Sequence, residues 1–306
     1  MKKVLVVGAG NVGAHIVQHA IASNLPAHFY LLDIKDSLTS AQILDLKDTL
    51  MFSKNTKINA ISIDDPLIHE MDIVVITAGA NQLPGESRLD LLAKNAAMIK
   101  TMVNQLQPLK PSSIILLVTN PVDIVTKLAQ EYFDLPAAQV FGTGTLLDSA
   151  RLRWRIAESL ERNVHNTHGY VLGEHGDSEF VAWSTTSGQQ YLGEEEREEI
   201  EQSVRKEAYE IIQGKGATYF GISAATVHVL NAILHDTQAL IPVSACYPQF
   251  ADEALRSTPL GIPCIVGEAG VIATPTAKIT DEELTKLCDS AQQLRQSYLD
   301  LLKPSD

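Results

Sequence analysis

Glycines occupy positions 8, 10 and 13 in the run Gly8-Ala9-Gly10-Asn11-Val12-Gly13, directly after the apolar stretch Val4-Leu5-Val6-Val7. At the junction of a strand and a helix, that spacing has a physical reading. The first glycine permits a tight turn, the second lets backbone approach a pyrophosphate, and the third allows close helix–strand packing. The free N–H groups where the helix opens, at Asn11 and Val12, then receive the phosphate charge. Asp33 ends the next apolar run, 20 residues after Gly13. A carboxylate there accepts bonds from an adenosine ribose diol and repels a 2′-phosphate. NAD is therefore expected rather than NADP.

Four later stretches carry the remaining chemistry: Gly79-Ala80-Asn81-Gln82-Leu83-Pro84-Gly85-Glu86-Ser87-Arg88, Thr119-Asn120-Pro121, Leu147-Asp148-Ser149-Ala150-Arg151, and Gly173-Glu174-His175-Gly176-Asp177. His175 suits acid–base work, because a histidine ordinarily titrates at ~6.5, near working pH. Asp148 is suited to fix its tautomer and stabilise the imidazolium. Arg151 follows one helical turn later on a similar face, and its planar fork can hold a carboxylate by two bonds.

The 306 residues suggest two domains and are ample for a core without disulfide or metal staples. A formal charge of −13 makes nucleic acid and anionic membrane surfaces poor partners. Cys246, Cys264 and Cys288 are odd in number and form no CxxC, which fits a reducing cytoplasm. Met1-Lys2-Lys3 and the apolar run after it superficially resemble a signal peptide. The run stops at Gly8, so no such segment is expected, and nothing approaches the ~20 apolar residues of a membrane span.

In the first half, strand-like runs (3–7, 28–33, 57–62, 72–77, 113–119, 139–142) alternate with helical stretches (12–23, 39–51, 89–107, 122–132). Such alternation predicts a doubly wound, mostly parallel α/β sheet. The second half predicts helices over 146–161, from 194, over 217–234 and from 281, with short strands at 170–172, 180–184, 239–246 and 262–266. The expected architecture is a Rossmann dinucleotide-binding domain over 1–143 and an α+β substrate and catalytic domain over 144–306. The acidic run Glu194–Glu199 reads as a solvated helix N-terminus.

Together the motifs, in this order over essentially the whole chain, closely resemble the L-lactate/malate dehydrogenase family, above all its bacterial L-lactate members. The resemblance implies reduction of a 2-oxo acid, with His175 as acid–base group, Asp148 as its partner and Arg151 as carboxylate clamp. It implies that Arg88 polarises the carbonyl when its loop closes, and that Asn120 serves both the nicotinamide and the substrate. Thr218 matches a substrate-pocket position. Thr77, Ala78, Gly79 and Ile222 match positions at the cofactor, beside Gly8, Gly10 and Gly13. No metal is implied.

Gln82 separates the branches. A dicarboxylate would want a second arginine there, and a neutral glutamine would leave its carboxylate buried and unpaired. Pyruvate and L-lactate are the expected pair, the L configuration coming from the resemblance alone. The 175–218 segment is shorter than in typical lactate dehydrogenases, so an enzyme for longer 2-oxo acids, such as 2-oxoisocaproate, is the alternative, and malate dehydrogenase a lesser one. An NAD-dependent glycosidase would need metal-binding Cys and His, and the cysteines lie late and away from His175. An inactive NAD-sensing module would not need His175, Asp148, Arg151 and Arg88 together. Arg153 and His168 match residues that hold fructose 1,6-bisphosphate at a subunit interface in bacterial lactate dehydrogenases that respond to it. A homotetramer, or a dimer, follows from the same resemblance.

Overall fold

The computed structural model describes residues 1–80, 88–275 and 278–303, for 88–91 the backbone only. The amino-terminal half supplies β1 (Lys2–Val7), β2 (Ala27–Leu32), β3 (Lys57–Ala60), β4 (Ile73–Ile76), β5 (Ile114–Leu117) and β6 (Val140–Gly142). Between them run α1 (Asn11–Ala22), α2 (Asp36–Thr49), α3 (Arg88–Leu106) and α4 (Val122–Tyr132). All six strands are parallel, in the order β3-β2-β1-β4-β5-β6. The apolar runs are continuous because both faces are covered. Val4 and Val6 pack with Ile16, Val17 and Ala20 of α1, while Leu5 and Val7 join Ile99, Val103 and Leu106 of α3 on the other face. Strand order reverses at β1, which lies between β2 and β4. A crevice outside the carboxyl ends of strands is expected at such a point.

The second half contributes α5 (Leu146–Ser159), β7 (Val171–Leu172), β8 (Phe180–Val181), α6 (Glu194–Lys215) and α7 (Phe220–Leu234). After them come β9 (Ala239–Ala245), α8 (Glu253–Ser257), β10 (Leu260–Gly267), β11 (Gly270–Ala273) and α9 (Asp281–Leu301). Among the described residues, only β7 and β8 of this half pair apart, as a small antiparallel sheet, and its other strands join the first sheet. Antiparallel β9 joins β6 through Gly142 and Ser244, and β10 and β11 extend the same sheet outward. The two halves are thus fused edge to edge, which covers a strand edge that would otherwise be open.

Some boundaries differ from the sequence expectation. The helix predicted from 217 starts at Phe220, because Gly216 ends α6 in the left-handed region at φ +81° and Tyr219, at φ −150° and ψ −29°, is not yet helical. The strand predicted over 180–184 ends at Val181, where the chain tightens into a turn over Trp183–Thr185. His168 lies in coil before β7. Both α8 and β11 are too short to show a period and were not anticipated. The acidic start of α6 behaves as expected: Glu196 accepts the Gly193 N–H at 2.8 Å. Among the described residues, no helix is long and apolar enough to cross a membrane.

Candidate active site

The glycine loop closes between β1 and α1. Gly8 sits at φ +109°, and a Cβ on Gly13 would lie 1.9 Å from the Gly8 carbonyl oxygen, so both positions demand glycine. Gly10 is different: a Cβ there would meet nothing within 4 Å. The space above it is open. Asp33, at the end of β2, accepts the Ala9 N–H at 2.7 Å and so stands directly beside this loop. Thr77 donates to the Val7 and Gly8 carbonyls, locking the loop to the end of β4. Gly79 lies where a Cβ would come 2.6 Å from the Thr119 methyl, which lets the segments after β4 and β5 approach.

Across the crevice, α5 carries Asp148 and Arg151 one turn apart. Asp148 uses both oxygens: Oδ1 accepts from Arg151 Nη1 at 3.0 Å, and Oδ2 pairs with His175 Nδ1 at 2.7 Å. Arg151 is only 6% exposed and His175 27%, so the guanidinium is desolvated while the imidazole keeps one accessible side. The His175 loop is held from three directions. Gly173 forms an antiparallel bridge with Gly261 of β10, the Glu174 N–H donates to Ser290 of α9, and the His175 N–H donates to Asp123 of α4 at 2.7 Å. Asp123 also accepts from Ser244 of β9 at 2.5 Å.

Electrostatics follow from this crowding. The Asp148 charge lifts His175 to about 9, overcoming burial, with smaller contributions from Glu179 and Asp123. Burial pushes Asp148 up, but His175 and then Arg151 hold it below the usual carboxylate range. Glu179, whose carboxylate lies within 4.8 Å of the Asp148 and His175 polar atoms, is pushed to about 8 by burial and then by Asp148. Burial likewise pushes Asp123 to about 6. At neutral pH the site therefore sets a protonated imidazole against ionised Asp148, with Asp123 largely ionised behind the loop, while Glu179 keeps its proton.

A profile of the lactate/malate dehydrogenase NAD binding domain matches residues 2–142, and one of that family's alpha/beta C-terminal domain matches 145–303. The chain belongs to the lactate/malate dehydrogenase family. Relatives include L-lactate dehydrogenase of Bifidobacterium animalis subsp. lactis, 37% identical over 96% of this chain and 95% of that one. L-lactate dehydrogenase 1 of Listeria monocytogenes serovar 1/2a is 36% identical over 100% of this chain and 99% of its own. Among solved structures, a lactate dehydrogenase from a Medee basin deep-sea metagenome library superposes with a TM-score of 0.93, at 34% identity, covering 99% of both chains. The minor L-lactate dehydrogenase of Enterococcus mundtii gives 0.91, also at 34% identity and 99% coverage of both.

Within this lactate/malate dehydrogenase frame, the structure brings together most of the residues singled out in the sequence. The start of α7 fits between the two ends of the crevice: Gly221 packs on Leu147, and Ser223 donates to the Val12 carbonyl at 3.3 Å. Thr218 and Ile222 flank that contact and are half-buried. Asn120 follows β5 with its side exposed. Gln82 and the Arg88 side chain lie outside the described residues. Arg153 is half-buried, its guanidinium 5.2 Å from the Tyr170 ring centre and its Nε donating to the Gly169 carbonyl.

Four residues escaped the sequence reading. Asp123 and Glu179 act on His175 as described. Asn95, fully buried on α3, accepts from the Ala80 N–H and donates to the Asn120 carbonyl, both at 2.8 Å, tying the two cofactor-side turns together. Glu207 of α6 pairs with Arg151. The last carried a legible signal, since it sits three residues past Val204 on the inward face of an amphipathic helix.

Proposed function

We propose that this lactate/malate dehydrogenase family member is an NAD-dependent L-lactate dehydrogenase that interconverts pyruvate and L-lactate. The observation that carries the reading is Asp148, whose two oxygens join an acid–base histidine to a carboxylate-binding arginine. The open space over Gly10, with Asp33 beside the loop, fits the dinucleotide. When bound, the cofactor supplies the hydride that reduces C2 of the 2-oxo acid. Arg151 holds the substrate carboxylate and Arg88 polarises its carbonyl. Since His175 Nδ1 is committed to Asp148, Nε2 is the atom that gives a proton to the substrate oxygen, or takes it back from lactate. Asn120, Thr218 and Ile222 complete the wall between substrate and nicotinamide.

Residues 1–143 then bind the dinucleotide and 144–306 the substrate. Self-association into a dimer or homotetramer is supported by apolar side chains left exposed on and just after α2: Leu44, Met51 and Phe52. A fructose 1,6-bisphosphate site at Arg153 and His168 is supported by the Arg153 bond to Gly169, which brings that arginine beside the exposed His168. The low cysteine count, with all three thiols free, supports a cytoplasmic setting.

An NADH absorbance assay with pyruvate, oxaloacetate and branched 2-oxo acids tests the substrate reading. Pyruvate should be reduced most efficiently. The Gln82→Arg variant should move the oxaloacetate-to-pyruvate ratio of kcat/KM by at least about tenfold, because a buried unpaired charge costs several times more than a lost methyl contact. No turnover of pyruvate by the wild type would overturn the proposal.

A further inference from the structure

The carboxylate of Glu207 bridges two arginines of a neighbouring helix: Oε1 lies 3.2 Å from Arg151 Nε and Oε2 lies 2.9 Å from Arg155 Nη2. Its side chain is 17% exposed, so these pairs are largely shielded from solvent. Continued through Asp148, the contacts form a chain of alternating charge: Arg155, Glu207, Arg151, Asp148, His175.

Asp148 and Arg151 lie three residues apart on one helix, and both are nearly inaccessible. A guanidinium so placed prefers to grip both oxygens of a carboxylate in a planar fork. Here it does not. Arg151 touches Asp148 only through Nη1 on Oδ1, and Oδ2 remains with His175. The contact that holds the Nε side of the guanidinium away from Asp148 is Glu207.

We propose that Glu207 is a positioning residue for the reaction: it fixes the plane of Arg151 for the substrate carboxylate and keeps that arginine from taking the Asp148 oxygen that His175 needs. The proposal rests on Arg151 being the carboxylate clamp. A guanidinium carries five N–H donors; Asp148 accepts from one, and Glu207 faces the Nε side as an ion pair, so the remaining Nη protons are left for substrate. A clamp already ordered by one hydrogen bond and one ion pair loses less freedom when a carboxylate binds.

The test uses the full chain with saturating NADH, comparing wild type, Glu207→Ala and Glu207→Gln across pH 6 to 10. Glu207→Ala should raise the KM for pyruvate by about tenfold, the scale of a misaligned binding group. It should also move the alkaline fall of kcat/KM to lower pH, because Asp148 then serves Arg151 at the expense of His175. The groups facing His175 in that titration are Asp148, Glu179 and Asp123, and all three are kept. Glu207→Gln retains an acceptor oxygen, so its KM should lie between the other two, and it carries the test should the alanine variant fail to fold. NADH affinity, read by fluorescence, should not change. A wild-type KM and pH profile with only a lowered Tm would overturn the proposal, reducing Glu207 to a brace between α5 and α6. A lowered KM would overturn it too, showing a competitor for Arg151. Arg151→Lys separates the two levels: an unchanged KM in that variant would remove the clamp reading itself.

Discussion

In the proposed reaction the proton given to substrate is held on His175, where the buried Asp148 carboxylate outweighs the imidazole's own desolvation. Asp148, 2.7 Å from Nδ1, lifts His175 to about 9. The charged form donates, so pyruvate reduction should hold through neutral pH and fall as pH rises through about 9. Lactate oxidation needs the neutral ring and should rise over the same window. Asp148→Asn removes the charge and leaves burial, which alone lowers a histidine. The alkaline fall of pyruvate kcat/KM should then move down towards or below ~6.5, with a loss at pH 8 of at least about 100-fold. A fall that stays near its wild-type pH would show that another group carries the proton.

At the scale of elements, the glycine loop separates what folding needs from what the cofactor needs. Gly13 is pressed by the Gly8 carbonyl, whereas Gly10 faces open space with φ −69°, a conformation any residue adopts. Gly13→Ala should therefore unfold at lower temperature, since overpacking typically costs about 1–3 kcal/mol or more. Gly10→Ala should change Tm little, by roughly the few tenths to 1 kcal/mol of an altered N-cap. It should nonetheless weaken NADH at least about tenfold by placing a methyl where phosphate approaches. Thermal unfolding and NADH fluorescence titration on the two variants check this. Equal Tm losses with unchanged NADH affinity in Gly10→Ala would show that the loop does not receive the dinucleotide.

For the molecule as a whole, one continuous sheet and the buried Asp123 link couple the two halves. Asp123 belongs to the helix after Asn120, yet it holds the His175 N–H and the Ser244 hydroxyl. Through Asp148, which pairs with His175, a ligand that orders α5 from outside should act on His175. Arg153 shares α5 with Asp148 and Arg151, so fructose 1,6-bisphosphate bound at Arg153 and His168 should lower the KM for pyruvate. Measuring KM with and without millimolar effector, in wild type and Arg153→Leu, decides the matter. Equal KM values with and without effector in the wild type would remove the site.

The amino-acid sequence by itself determined what is local. It spaced three glycines for a strand-to-helix turn, set Asp148 and Arg151 one turn apart, and alternated strands with helices so that a parallel sheet was legible. Backbone periods of 2 and 3.6 residues and a few turn chemistries determine such features within a short window. Tertiary structure alone decided which distant groups meet. Asp148 reaches His175 across 27 residues, and Asp123 reaches it across 52. Glu207 arrives at Arg155 and Arg151 from another helix, and Glu179 becomes a proton-holding neighbour only once buried. No local period encodes these contacts. They arise from how helices and strands pack, and in the water-poor interior that packing creates, each meeting of charges has its full effect.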